Sequence, residues 1–279
     1  TLSGADALKW RVLCQNMVAG LWQTQAAFAI GLLGVFIGWR GSMAKMTGFF
    51  DLAGSVRYLL YGIVSGMILA SAVDRLILAG IVESSLNIAS ASILALLIAL
   101  AESALVMFLL GRPRNVALRT PPPFGWTLGL GIGAMQASVL AWRLFGDELS
   151  NSDYYGFSLI SVSIALVIAA SSCIGHAIPA AFQGAMILES KRFSPFVLAA
   201  LGRAMLTMTL VLSVYAPMIL IAPVIAIAAF WTPAHSNWIP SGLTPAARQA
   251  YRRTTRQSDR HRKASESRTK GSLVSDGEE

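Results

Sequence analysis

Apolar residues fill this chain in long blocks cut by charges, prolines and short polar loops, and seven of these blocks approach the length of a bilayer crossing. They run from Met17 to Trp39, Tyr58 to Val73, Leu86 to Leu110, Phe124 to Leu144, Phe157 to Leu188, Phe196 to Leu212 and Met218 to Trp231. Each predicts a membrane-spanning helix, because lipid offers backbone polar groups no partner outside a helix or a closed barrel. The run from Pro195 to Trp231 is ambiguous. As one helix at about 1.5 Å per residue it would reach roughly 55 Å, against a hydrocarbon core of about 30 Å. Two crossings joined near Tyr215-Ala216-Pro217 fit better. The fifth block exceeds a straight crossing, and Gly175 and Pro179 inside it predict a kink or a break.

Composition points the same way. At 55% hydrophobic and 13% charged, with a mean hydropathy of +0.61, the chain is too apolar for an ordinary soluble domain. The reading is an all-α, polytopic integral membrane helix bundle of about seven spans. It divides into an N-terminal segment (1–16), a transmembrane domain (17–234) and a tail (235–279). The first block lacks a small-residue cleavage site, so it reads as a span and not as a signal peptide.

Charge orients the spans. Arg40, Lys45 and Arg57, then Arg112, Arg114 and Arg119, then Lys191 and Arg192, and finally the basic tail all fall on one side if seven helices cross. The other side and its edges hold only Lys9, Arg11, Arg75 and Arg143, and its loop from Phe145 to Gly156 carries Asp147, Glu148 and Asp153 with no basic residue. The positive-inside rule therefore predicts N-out, C-in, as an integral protein of the cell membrane with a cytoplasmic C-terminus. From His235 onward Ser, Thr, Arg and Lys replace apolar residues, and the chain ends on Asp276, Glu278 and Glu279. Such a segment buries too little apolar area to offset its ordering entropy, so disorder is expected. Most of the net charge of +8 sits there, which makes it a topology determinant near anionic lipid and no argument for nucleic acid. Cys14 and Cys173 are expected to be free.

Glu102, Gln136, His176 and Arg203 stand out against this background. Counted from the inner ends of their spans, all four lie roughly 10 to 18 Å deep at about 1.5 Å per residue. A lone polar residue in a membrane helix is commonly a packing device that hydrogen-bonds across the bundle. Four at one depth point to a common site. Arg203 needs an anionic partner, and Glu102 is the acid at comparable depth, so the two are expected to pair. Gln183 on the helix of His176, and Thr207 one turn beyond Arg203, extend the candidate binding set. Gly129 and Gly133 have the small-residue spacing that brings helices close, and Gly133 joins the set for that reason.

The segments around these residues resemble the PrsW and YhfC groups of intramembrane proteases, relatives of the CAAX-processing membrane proteases. Leu97-Ile98-Ala99-Leu100-Ala101-Glu102-Ser103-Ala104-Leu105 is similar to a first motif in which two adjacent glutamates precede a basic residue; here Ala101 and Leu105 replace the first glutamate and the basic residue. Gly129-Leu130-Gly131-Ile132-Gly133-Ala134-Met135-Gln136 resembles a glycine-rich helix ending in a glutamate, which is Gln136 here. Cys173-Ile174-Gly175-His176 resembles the histidine helix and keeps His176, while Leu201-Gly202-Arg203-Ala204-Met205-Leu206-Thr207 stands where a histidine and an Asp or Asn are usual. Order and spacing hold from about Leu86 to Leu212.

The resemblance implies a peptidase scaffold, but one histidine and one carboxylate fall short of the three protein ligands of a catalytic zinc. No metal and no cofactor is expected. Glu102 and His176 could serve as base and donor, yet a close Arg203 weakens the base and Gln136 cannot take a proton. The leading expectation is a peptidase-like but inactive protein with a binding or assembly role, whose partners are membrane lipids and other membrane proteins or transmembrane helices. The alternatives are an active intramembrane peptidase using Glu102 and His176, and a small-solute transporter with helices broken at Gly175 and Pro179 or near Pro217 and Pro223. Phosphate loops, H-E-x-x-H and G-x-S-x-G are absent from the sequence. Ser171 and Ser172 share one helix with His176, against a rhomboid-like pair on adjacent helices.

Overall fold

A computed structural model describes the backbone of residues 4–83, 86–146 and 152–269, and side chains over 20–83, 86–146 and 152–268. The elements are α1 (Gly4–Gly41), α2 (Leu52–Val73), the short α3 (Ala79–Val82), α4 (Ile88–Leu110), the short α5 (Pro113–Ala117), α6 (Pro121–Phe145), α7 (Leu159–Leu188), α8 (Phe193–Ser213), α9 (Ile221–Pro233) and α10 (Pro245–Thr269). No strand occurs among the described residues. Seven helical segments are long and apolar enough to cross a membrane, so the chain is an all-α polytopic bundle.

The helix starts carry their own signals. Asp51 accepts from Gly54 N at 3.0 Å and Asn87 from Ser90 N at 2.8 Å, each satisfying a first-turn donor. Ser158 and Ser161 form a reciprocal capping box at the head of α7. α6 opens on Pro121, Pro122 and Pro123. Proline has no N–H, so this first turn presents none of the orphan donors that would otherwise need a partner.

α6 is the hub. In its most apolar window 83% is buried, against 17% for the last span. Its glycines explain how. A Cβ on Gly129 would sit 2.5 Å from Ala177 Cα, so α6 and α7 meet backbone to backbone. On the opposite side, Gly62 and Gly66 of α2 face Leu128 and Ile132 of α6, and a Cβ on Gly66 would lie 2.7 Å from Ile132 Cα. α1 also packs on α6 and α7, and α4 packs chiefly on α8.

Four sequence expectations need correction. The first helix begins at Gly4, well before Met17. The second crossing is helical over Leu52–Val82, longer than Tyr58 to Val73, because Asp74 does not end it. Arg143 clamps Asp74 with Nε at 2.6 Å and Nη2 at 2.8 Å, and this bidentate pair lets the charge sit at the end of a span. Of the kink or break expected at Gly175 and Pro179, the break does not occur, since α7 is one continuous helix through both. Gly175 serves close packing instead, because a Cβ there would lie 2.7 Å from Leu206 Cδ2 on α8.

The fourth correction concerns the tail. The last crossing extends over Pro217–Gly242, and α10 is helical where disorder was expected. Trp238 packs 4.9 Å from Phe182, and Tyr251 meets Phe49 edge-on at 5.6 Å. Two aromatic anchors among polar residues thus tie this segment to the bundle, and Arg262 adds contacts with Asp259 at 3.8 Å and Glu266 at 3.7 Å. The turn near Tyr215-Ala216-Pro217 is present, between the end of α8 at Ser213 and the 3-10 turn from Pro217. Asp147, Glu148, Cys14 and residues 270–279 lie outside the residues or side chains described.

Candidate functional site

Four helices deliver the embedded polar residues to one cluster. α4 supplies Glu102, α6 Gln136, α7 His176 and Gln183, and α8 Arg203 and Thr207. All are buried, with His176, Gln183 and Arg203 at 0% exposure and Glu102, Gln136 and Thr207 at 3 to 4%. The layer inferred from sequence depth is thus a set of direct contacts.

Glu102 is the centre of charge. Its Oε1 lies 2.8 Å from His176 Nδ1 and 2.7 Å from Arg203 Nε. The arginine contact is electrostatic and not an aligned hydrogen bond, since Nε and Nη2 of Arg203 have no hydrogen-bond partner among the described residues. Its Nη1 does the directional work, donating to Ser103 Oγ at 2.7 Å and to Gln183 Oε1 at 2.9 Å. Gln183 Nε2 in turn donates to Ser103 O at 3.4 Å.

His176 links this half of the cluster to the other. Its Nε2 meets Gln136 Oε1 at 2.7 Å, and Gln136 Nε2 lies 3.5 Å from Thr207 Oγ1. In that amide orientation both ring nitrogens donate, which makes the ring an imidazolium. Turning the amide by 180° lets a neutral ring accept at Nε2 while Gln136 takes the Thr207 proton. The second arrangement leaves Arg203 and Glu102 as one balanced pair, and a low-dielectric interior favours it. In either arrangement no nitrogen of His176 is free.

Those occupied nitrogens limit the chemistry. A metal ligand needs a free nitrogen lone pair, and no group of three or more His, Cys, Asp or Glu able to hold a metal occurs among the described residues. One oxygen of Glu102, Oε1, engages both the histidine and the arginine.

Gly133 stands apart from the cluster. It lies against the α7 backbone, where its carbonyl accepts from Ser172 Oγ at 2.8 Å. Sequence reasoning missed Ser103, which accepts the shorter of the two Arg203 hydrogen bonds; a serine in an apolar helix is too common to signal a role, although adjacency to Glu102 was available as a hint. It also missed the Asp74–Arg143 pair, whose opposite charges at the adjoining ends of two spans were the signal. A third polar knot near the other end joins Tyr58, Asn115 and Leu109 O: Tyr58 Oη and Asn115 Nδ2 each donate to that carbonyl at 3.0 Å, and Asn115 also bonds Tyr58. Cys173 is free and buried.

Comparisons with protein-family models, with curated proteins and with solved structures find no match.

Proposed function

We propose that this protein acts without catalysis, as a membrane scaffold that binds or assembles other membrane components, with substituted sequence motifs that resemble those of the PrsW-like intramembrane proteases. The observation that carries this reading is the double engagement of His176, by Glu102 at 2.8 Å and Gln136 at 2.7 Å. A hydrolytic site keeps an open position for water or metal and donors aimed at a developing oxyanion. Here the polar groups face one another, as in a lock that fixes α4, α6, α7 and α8. α7 is continuous through Gly175 and Pro179, so a transporter reading would rest on the segment near Pro217 and Pro223.

The charge distribution supports an N-out, C-in orientation in the cell membrane. Lipids and transmembrane helices of other proteins are the partners suited to a surface that is apolar along most of its spans.

The test is direct. Purified wild type and Gln136→Glu are incubated with a panel of membrane-protein substrates, and products are sought by mass spectrometry. The scaffold reading expects no cleavage by either, because restoring one carboxylate leaves Arg203 on Glu102 and the remaining motif positions substituted. Robust turnover by wild type, abolished by Glu102→Ala, would falsify it.

A further inference from the structure

One end of the bundle carries a basic cleft that takes no part in the buried cluster. It has a volume of about 560 Å³ and is lined by Arg119, Leu243, Thr244, Arg248, Gln249 and Arg252. A second lobe of about 250 Å³ shares the three arginines and reaches the end of α7. Together these match the size of pockets that hold small ligands or headgroups.

The arginines are held in an arrangement that favours an anion. Arg119 Nη2 and Arg248 Nη2 donate to the same acceptor, Ser241 O, at 3.1 and 3.3 Å. Two like charges therefore meet on one carbonyl, a repulsion that a bound anion relieves. Nε of Arg248 is buried with no hydrogen-bond partner among the described residues. Arg252 is exposed on the cleft wall. Arg119 has φ 55°, a left-handed backbone that an arginine seldom adopts, and it sits in the turn that leads into α6. Glu189 is the carboxylate on the wall of the second lobe, where Lys191 pairs with it at 2.9 Å and offsets its charge.

Location narrows the ligand further. Arg119 precedes the first turn of α6, Glu189 follows the last turn of α7, and Arg248 and Arg252 lie on the first turns of α10, so the cleft opens at the edge of the membrane-spanning bundle. Phosphate, with several acceptor oxygens and up to two charges, suits converging guanidinium forks better than a single carboxylate does. Basic pockets at such an edge meet lipid headgroups and soluble phosphates alike.

We propose that this cleft binds a phosphate-bearing anion, with the phosphate seated between Arg119, Arg248 and Arg252. The site is separate from the Glu102 cluster, so it stands or falls independently of the scaffold reading.

The full chain in neutral detergent is titrated with inorganic phosphate and, separately, with dioctanoyl phosphatidate, and binding is read by calorimetry. Saturable binding of either probe is expected, weakened at least tenfold in Arg248→Gln and Arg252→Gln. Arg256→Gln and Arg260→Gln remove the same charge from exposed positions of α10 outside the cleft and are expected to bind as wild type. Saturation by phosphatidate alone assigns the phosphate to a lipid, and equal saturation by inorganic phosphate assigns it to a soluble compound. Arg252 is exposed, so its variant keeps the test valid if Arg248→Gln does not fold. Equal weakening in all four variants, or no saturable binding of either probe, overturns the proposal.

Discussion

Replacing Arg203 with methionine deletes a guanidinium that lies 2.7 Å from Glu102 and donates to Ser103 Oγ at 2.7 Å and Gln183 Oε1 at 2.9 Å. Glu102 would remain buried with only His176 against it, and two acceptors would lose their donor. Breaking one side of a buried ion pair costs about 3 to 5 kcal/mol. Glu102→Gln breaks the same pair from the other side and leaves the fully buried Arg203 cation without its counter-charge, so it too should cost about 3 to 5 kcal/mol. In the double variant no buried charge is left uncompensated, so its total loss should fall at least about 2 kcal/mol short of the sum of the single losses. Neutral hydrogen bonds between membrane helices are worth only about 0.6 kcal/mol on average, so a coupling of 2 kcal/mol would identify charge as the cause. Reversible unfolding in bicelles, followed for wild type, both single variants and the double variant, gives the coupling directly. Additive losses, within about 0.5 kcal/mol, would refute the reasoning and reduce the pair to a contact without energetic weight.

Gly129→Val should destabilise by about 1 to 3 kcal/mol through overpacking against α7, whereas Gly202→Val, at a position with open space around it, should change stability by less than about 0.5 kcal/mol; thermal unfolding of the two variants compares them. Reporters placed after Glu279 and within residues 147–151 should localise to opposite sides of the membrane, as protease protection can show, and a shared side would contradict the seven crossings. Burial raises the phenol of Tyr215, in the turn between two spans, and its hydroxyl has no hydrogen-bond partner among the described residues. The unfolded chain then gives up this proton first, so stability should fall as pH climbs past about 10. Tyr215→Phe should flatten that fall and leave stability at pH 7 unchanged or slightly higher, measured as Tm across the alkaline range.

How much of this was legible in advance differs by residue. The seven crossings follow from apolar runs, because the bilayer imposes length and backbone satisfaction on each segment separately. The Glu102–Arg203 pair was legible too, since an embedded arginine needs an acid and the sequence supplies one at matching depth. Asp74 misled because a charge was taken to end a span, and only the approach of Arg143 from α6 neutralises it. At Pro179 the sequence left a kink and a break both open, and the structure excludes the break, because α7 continues through the proline. Tyr251 and Trp238 were read within a polar tail, yet their rings find Phe49 and Phe182.

By itself, then, the sequence determined the solvent, the number of crossings, and the depth of Glu102, Gln136, His176 and Arg203, all properties that depend on one segment at a time. The tertiary structure decided which groups touch. It placed both nitrogens of His176 against partners, drew Ser103 and Gln183 onto Arg203, and brought Arg119 beside Arg248. Such contacts depend on the rotation of each helix about its axis and on the close approach that Gly129, Gly62 and Gly66 permit, and spacing along one segment does not fix how it faces another.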